Sequence, residues 1–162
     1  MIIQRATTIV EFKTIEALAW EILPKHYAPY LPDAHTRFFL QKYQTLQKIE
    51  EQVANGFQYY LLVYNDKNVG YLGIDILANT LILSKLYILK AYRGKGLGKL
   101  AMQEVEKVAQ QTQVNQIDLI VNRLNKATIQ FYQSKGFIIS EDLVHHYENG
   151  VSVEDYKMTK QL

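Results

Sequence analysis

The residues with the most evident chemistry are the glycines and basic side chains of the stretch Tyr92-Arg93-Gly94-Lys95-Gly96-Leu97-Gly98-Lys99-Leu100. Alternate glycines permit unusual backbone dihedrals and let a ligand approach the main chain. The stretch precedes a predicted amphipathic helix, and the first turn of a helix has unpartnered amides that favour an anion. Arg93, Lys95 and Lys99 add positive charge there. The sequence therefore predicts a cradle for a phosphate compound, with a flexible solvated turn as the alternative.

The spacing of these glycines narrows the class of phosphate compound. The stretch lacks the Gly-Lys-Ser/Thr ending of the nucleotide P-loop, and it lacks the Gly-x-Gly-x-x-Gly spacing of dinucleotide-binding loops. No early strand–helix–strand unit of the dinucleotide-binding kind precedes it either. Neither of these two ligand classes is predicted.

The same stretch resembles the acetyl-coenzyme A motif of the GNAT superfamily of N-acetyltransferases. That motif has Arg or Gln, two residues, Gly, one residue, and then Gly or Ala, and it directly follows a strand. Arg93, Gly96 and Gly98 match it in order, after a predicted strand that ends at Leu89.

A second stretch, residues 122–137, resembles the other signature of this family. That signature has an asparagine, a small residue three positions later and a Tyr-x-x-x-Gly-Phe ending. Asn125, Tyr132, Gly136 and Phe137 match it, while Thr128 stands where alanine is usual. Two signatures in the right order are far more specific than either alone, so the chain resembles a small bacterial-type GNAT member.

The resemblance implies an enzyme that transfers an acetyl group from acetyl-coenzyme A to an amine by direct attack, without a metal. The acceptor would be a small amine, a polyamine or a protein N-terminus. The implied cofactor contacts are the main chain of one strand, the glycine stretch and one asparagine: Leu86, Tyr87, Ile88, Arg93, Gly94, Lys95, Gly96, Leu97, Gly98, Lys99 and Asn125. Asn125 also stands where a helix N-cap is expected. The alternative function is a non-catalytic module that binds or senses acyl-coenzyme A on the same fold.

Tyr132 is the implied catalytic residue. By resemblance it faces the cofactor sulfur and protonates the leaving thiolate, and a phenol of pKa ~10 is a suitable donor to a thiolate whose acid has a pKa of ~8.5. The general base is left open, with Asp75, His26 and a chain of waters as the alternatives. Ser84 offers a weaker alternative route, through an acyl-serine.

The acceptor side is implied by the family only in outline, because the first helices and the final hairpin cover it. In this chain those segments contain an aromatic and histidine-rich set: Trp20, His26, Tyr27, Tyr30, His145, His146 and Tyr147. Aromatic rings can hold an aliphatic or cationic amine, although each could equally be packing. Some small bacterial members acetylate polyamines, but Ser84 and Val151 depart from their pattern.

The elements that must position these residues follow from periodicity and turn signals. Phe12, Ile15, Ala19 and Ile22 recur at helical spacing behind a Thr8–Glu11 capping box. The predicted order is a strand at 2–5, a helix at 8–22, a loop broken by Pro24, Pro29 and Pro32, helices from Asp33 and from Thr45, strands at 57–64, 69–77 and 81–89, a helix after the glycine stretch, a strand at 117–121, a helix at 125–135 and a hairpin around Glu148-Asn149-Gly150. The strand–helix–strand unit of residues 81–121 predicts one parallel pair in an otherwise antiparallel sheet. The fold class is therefore α+β with a mixed, mostly antiparallel sheet and helices on both faces.

Composition sets the remaining expectations. A chain of 162 residues with 48% hydrophobic residues predicts a single domain over residues 1–162. Its 18 basic and 16 acidic side chains are too balanced for a nucleic-acid binder. It has no cysteine, which removes disulfides, a cysteine-ligated metal and a cysteine acyl-enzyme. The start lacks the pattern of a signal peptide, and no apolar run reaches membrane-spanning length, so a cytoplasmic protein without membrane partners is expected. Dimers are common in the family, so a homodimer is a further expectation.

Overall fold

The computed structural model of the chain describes residues 2–162. Its elements are, in chain order, β1 Ile2–Arg5, α1 Ile9–Tyr27, α2 Asp33–Tyr43, α3 Leu46–Ala54, β2 Gln58–Tyr64, β3 Lys67–Leu77, β4 Thr80–Ile88, a 3-10 turn Lys90–Tyr92, α4 Leu97–Gln111, β5 Gln116–Asn122, α5 Lys126–Gln133, β6 Ile138–His146 and β7 Ser152–Gln161. Every predicted helix and strand is present, with ends that differ by a few residues.

The strands form one seven-stranded sheet in the order β1-β2-β3-β4-β5-β7-β6. β4 and β5 pair in parallel, and all other neighbouring strands pair antiparallel. The predicted meander of β2, β3 and β4, the parallel pair around α4 and the final hairpin are thereby confirmed. The fold class is α+β, as predicted.

Helices cover both faces of this sheet because successive strand residues point to opposite sides. Tyr59, Leu61 and Tyr71 pack with the buried side chains of α1, α2 and α3. Tyr60 and Leu72 pack on the other face with α4 and α5. The two apolar clusters hold the sheet between two layers of helix.

Helix α1 corrects one prediction. It begins as expected, where Thr8 Oγ1 accepts from the Glu11 amide at 3.3 Å and the Glu11 carboxylate accepts from the Thr8 amide at 2.8 Å. It does not end before Pro24 but continues through that proline to Tyr27. A proline removes one hydrogen bond to the residue four positions earlier. Burial of Ile22 and Leu23 in the core outweighs that loss, and His26 and Tyr27 consequently lie on the helix rather than in a loop.

No helix within residues 2–162 is both long enough and apolar enough to cross a membrane.

Candidate active site

The site begins where β4 and β5 part. The two strands pair only from Thr80–Gln116 to Leu83–Leu119. Immediately after this, Ser84 forms a bulge: Leu83 pairs with Ile74 of β3 and Lys85 pairs with Gly73, which leaves Ser84 without a partner. A bulge bends its strand and increases the local twist. β4 therefore turns away from β5, and a gap opens between their carboxyl ends.

The edge of β4 that faces this gap offers main-chain groups. The Leu89 amide donates to the Val69 carbonyl of β3 at 2.9 Å, and antiparallel strands bond through alternate residues. The main chain of Tyr87 is consequently turned to β3, while that of Leu86 and Ile88 is turned to the gap. This corrects the prediction for Tyr87, which can contribute to the site through its side chain and not through its main chain. The Ile88 carbonyl already accepts from Arg93 Nε at 2.9 Å, so its amide is the free group.

The glycine stretch forms an open cradle at the start of α4. Gly94 and Gly96 have φ values of 75° and 79°, and a Cβ on either would meet nothing within 4 Å. Gly96 is the N-cap of α4 and makes no side-chain cap, so the first amides of the helix point outward unpartnered. Such amides with nearby basic side chains fit an anionic group such as a diphosphate.

Two residues of this stretch have roles that the motif does not reveal. Leu97 is only 2% exposed and packs in the core, so its amide is all that it can offer to a ligand. A Cβ on Gly98 would lie 3.2 Å from Phe131 Cζ. Gly98 therefore lets α4 and α5 come close together, and its side of the helix faces protein rather than ligand.

Tyr132 lies on α5, buried, and lines the gap, where a cavity of about 70 Å³ remains. Burial raises the pKa of Tyr132 well above its usual value, so its hydroxyl stays protonated and can donate. Asn125 is the N-cap of α5, as predicted, and its Oδ1 accepts from the Thr128 amide at 3.2 Å. The Nδ2 of Asn125 lies 3.4 Å from Nε2 of His26.

A second cavity of about 210 Å³ adjoins the gap. Both cavities are lined by the same five side chains at their junction: Tyr27, Ser84, Tyr87, Ile120 and Asn122. The Tyr27 and Tyr87 hydroxyls lie 2.8 Å apart, and burial raises the pKa of Tyr27 to about 12. The outer wall comes from α2 and from the β6–β7 hairpin, so this larger cavity reaches the gap from the acceptor side.

Asp155 is the acidic residue of the larger cavity, and the sequence reasoning missed it. It pairs with Asn122 across β5 and β7, and its Oδ2 lies 2.9 Å from His145 Nδ1. Burial raises the pKa of Asp155, although the hydrogen bond and the charge of His145 act in the opposite direction. The available signal was weak: alternation on β7 places Val153 and Asp155 on the same buried side.

The predicted acceptor residues divide into two groups. His26 lines the gap, His145 and Tyr147 line the larger cavity, and Tyr27 lines both. Trp20, Tyr30 and His146 do not line either: Trp20 lies on α1 and packs against the apolar cluster on that face of the sheet, Tyr30 stacks edge-on near His26, and His146 is exposed with Nδ1 2.7 Å from Ser152 Oγ.

The candidate bases divide in the same way. Asp75 lines a separate cavity with Phe57 and Lys42, away from the gap. His26 lines the gap, but burial and the charge of Arg93 lower its pKa to about 4. His26 is therefore uncharged at neutral pH and a weak proton acceptor.

Lys85 lies away from the gap. It is buried beneath Phe57, with Nζ 4.6 Å from the ring centroid, and burial lowers its pKa to about 8.

A mixed sheet whose parallel strands open beside a glycine-cradled helix N-terminus defines the class of acetyltransferases that use acyl-coenzyme A. The chain belongs to the acetyltransferase (GNAT) family, whose family model matches residues 14–137. A spermidine N(1)-acetyltransferase of Thermoplasma acidophilum is 22% identical over 142 residues, which cover 85% of this chain and 88% of that relative. The predicted family and the predicted enzyme class, an N-acetyltransferase, are confirmed.

Solved structures show the same fold. The PaiA N-acetyltransferase of Thermoplasma acidophilum, in complex with coenzyme A, superposes with a TM-score of 0.82 at 20% identity over the whole of both chains. A ribosomal-protein-alanine N-acetyltransferase of Brucella melitensis superposes with a TM-score of 0.73 at 20% identity, again over the whole of both chains.

Proposed function

We propose that this enzyme transfers the acetyl group of acetyl-coenzyme A directly to the amine of a small molecule. The observation that carries the proposal is the junction of the two cavities, where five side chains line both the gap beside Tyr132 and the larger cavity. Two reactants that enter from opposite sides would meet there. Holding both reactants in one site makes a bimolecular reaction effectively unimolecular, and this lowers a large part of the reaction barrier.

Acetyl-coenzyme A fits the gap side. The free amide of Ile88 and the main chain of Leu86 would bind its pantetheine arm, and the amides of the glycine cradle would bind its diphosphate with Arg93 and Lys99 nearby. The thioester supplies an acetyl group activated for transfer. The Asn125 side chain, whose Nδ2 faces His26, is a further proposed contact.

The proposed chemistry is direct attack. The amine nitrogen bonds to the thioester carbonyl carbon, and the free Ile88 amide stabilises the negative charge that develops on the carbonyl oxygen. Tyr132 then donates its proton to the departing thiolate. The base nearest to Ser84 is Lys85, whose Nζ lies 3.4 Å from the hydroxyl. Its pKa of about 8 keeps Lys85 mostly protonated at neutral pH, so an acyl-serine route is less favourable than direct attack.

The acceptor cavity supports a small amine over a protein N-terminus. Lys42 Nζ lies 2.7 Å from Glu148 Oε1, and His35 Nδ1 lies 3.0 Å from Asn149 Nδ2. These two contacts join α2 to the turn of the β6–β7 hairpin. They leave about 210 Å³, which suits an alkylamine of a few carbons and not a polypeptide.

Thiol release from acetyl-coenzyme A, measured over a panel of amines, tests this function. The panel comprises 1-aminobutane, 1,4-diaminobutane, spermidine, an amino acid and an alanine-initiated peptide, and we expect the small alkylamines to be used best. Direct transfer requires both substrates together, so initial-rate lines should intersect. Parallel lines with an acetylated Ser84 in the mass spectrum would contradict direct attack. Binding of acetyl-coenzyme A without any turnover would favour a binding module.

A further inference from the structure

We propose that Asp155 binds the acceptor's ammonium group in the larger cavity and takes its proton, with His145 holding that carboxylate in place. The inference rests on the proposed function and names the acceptor class, a cationic alkylamine, together with the base that the sequence left open. Alkylamines are protonated at neutral pH, and only the free base can attack a carbonyl. An enzyme of this kind needs a proton acceptor on its acceptor side.

The charge of the larger cavity favours a cationic acceptor. Asp155 is the one acidic residue among the lining side chains found within residues 2–162, and that lining contains no lysine or arginine. The walls beside it are aromatic, formed by Tyr27, Phe39 and Tyr147. A single carboxylate among aromatic rings favours a cation with an apolar body. An anionic or neutral acceptor gains nothing from this arrangement.

The geometry of the Asp155 carboxylate leaves one of its oxygens available to a ligand. Its Oδ2 is occupied by His145 Nδ1 at 2.9 Å, and an ionised carboxylate can only accept, so that nitrogen carries the proton. Its Oδ1 has no hydrogen-bond partner within residues 2–162 and remains available to a ligand. The Asp155 side chain is 10% exposed, whereas that of His145 is 39% exposed. His145 therefore orients a buried carboxylate from the rim.

The groups around Asp155 set its proton affinity. The titratable side chains that face it are Tyr27 from α1, His35 from α2, Tyr87 from β4, His145 from β6 and Tyr147 from the hairpin turn. Burial raises the pKa of Asp155, while both histidines oppose that rise. A carboxylate with a raised pKa is a better proton acceptor than a solvated one. An arriving ammonium favours the ionised form and so assists its own binding.

The proton and electron pairs balance within the site. The ammonium nitrogen gives its proton to Asp155 Oδ1, and the freed lone pair forms the C–N bond. The C–S bond breaks, the thiolate takes the Tyr132 proton, and the attacking nitrogen loses its second proton to solvent as the amide forms. Asp155 releases its proton to solvent when the product leaves, and Tyr132 regains one in the same way.

The decisive variant is Asp155→Asn, which keeps the shape and removes the charge. Its matched control is Glu154→Gln, the same change one residue earlier, at an exposed carboxylate that lies 3.4 Å from Arg123 on the other side of the strand. In calorimetric titrations the wild type should bind 1,4-diaminobutane more tightly than uncharged 1-butanol. We expect Asp155→Asn to weaken the diamine about tenfold and leave 1-butanol unchanged. Glu154→Gln should stay within about twofold.

Turnover supplies the second readout. Asp155→Asn should lower kcat/KM for the diamine by about 100-fold at pH 7 while acetyl-coenzyme A affinity and Tm stay unchanged. Its remaining activity should rise about tenfold per pH unit toward the pKa of the amine, because free base must then come from solution. For the positioning residue, His145→Leu should move the acidic limb of the pH profile to higher pH, because it removes the hydrogen bond and the charge that lower the pKa of Asp155, and His145→Asn should largely restore it.

Two results would overturn the inference. One is an Asp155→Asn enzyme that binds and acetylates the diamine within twofold of the wild type. The other is a wild type with no preference for the diamine over 1-butanol. Failure of the proposed function has a different signature, namely a wild type that binds both reactants and releases no thiol. In that case the loss of diamine affinity in Asp155→Asn still decides whether Asp155 is the ammonium site.

Discussion

The cofactor side and the acceptor side of the site offer different kinds of contact group. The cofactor side consists mainly of main-chain groups, namely the β4 edge at Leu86 and Ile88 and the amides of the cradle that starts α4. The acceptor side consists of side chains, such as Asp155, His145 and His35, drawn from strands and a helix far apart in sequence. One side is specified by backbone conformation and the other by residue identity.

This difference predicts which side of the site tolerates side-chain substitutions and which side sets the specificity for the acceptor. A main-chain site tolerates many side chains as long as its glycines and its bulge remain. A side-chain site changes its specificity with one substitution, because a buried polar group left without its partner is costly. Substitutions on the cofactor side should therefore affect every acceptor equally, and those on the acceptor side should affect acceptors selectively.

The largest effect is expected in the gap, from Tyr132→Phe. The ring keeps its packing against Phe131 and Phe137, so stability and acetyl-coenzyme A affinity should change little. A proton donor used only as the thiolate leaves lowers kcat and leaves ground-state binding intact. We expect kcat to fall about 10- to 1000-fold with KM nearly steady for both substrates.

The control for this variant is Tyr60→Phe. Tyr60 is buried in the same apolar cluster to the same 7% exposure, but its hydroxyl bonds Gln58 outside the gap. Steady-state kinetics on both variants, with chemistry shown to limit the rate, make the comparison. Wild-type turnover by Tyr132→Phe would make that tyrosine a packing residue.

A smaller, one-sided effect is expected from Gly96→Val. A branched side chain at a φ of 79° strains the backbone and fills the open face of the cradle. Acetyl-coenzyme A should bind at least about tenfold more weakly, or 1.4 kcal/mol, while affinity for the amine stays unchanged. Gly56→Val is the control, because Gly56 has a φ of 100° and equally open surroundings at the end of α3. Calorimetry that finds equal affinities in the two folded variants would remove the diphosphate from the cradle.

The smallest effect is expected from Asn149→Ala on the acceptor side. This change removes the 3.0 Å contact between the hairpin turn and His35 of α2, together with the bond within the turn that Asn149 Oδ1 accepts from the Val151 amide at 3.2 Å; only the first joins the two walls of the cavity. One net hydrogen bond is worth about 1 kcal/mol, so KM for the amine should rise about fivefold while acetyl-coenzyme A affinity stays constant. Asn55→Ala, which also loses one exposed hydrogen bond, to the Glu51 carbonyl, should alter neither value. An equal rise in both substrates' constants would mean that the two sides are not separate.

The same contrast explains what could be predicted from the sequence. The cradle and the order of strands follow from glycine spacing and periodicity, which are local signals. Asp155 could not be found in this way, because its importance comes from a cavity that α1, α2 and the hairpin enclose together. Pro24 shows the converse. Proline is a local helix-breaking signal, but α1 continues through it because burial of the neighbouring residues outweighs the lost hydrogen bond. Gly98 matches the motif, yet the space left by its missing side chain is occupied by Phe131 and not by a ligand.

Pro24 also has a mechanical consequence. Because proline has no amide hydrogen, the Trp20 carbonyl lacks its bond within the helix, and α1 is weakest one turn before its end. The segment beyond this weak point carries His26, which faces the gap, and Tyr27, which faces both cavities. The last turn of α1 is thus joined to the rest of the helix through a turn that has one hydrogen bond fewer. Tyr27 therefore makes the last turn of α1 a wall that the two compartments share.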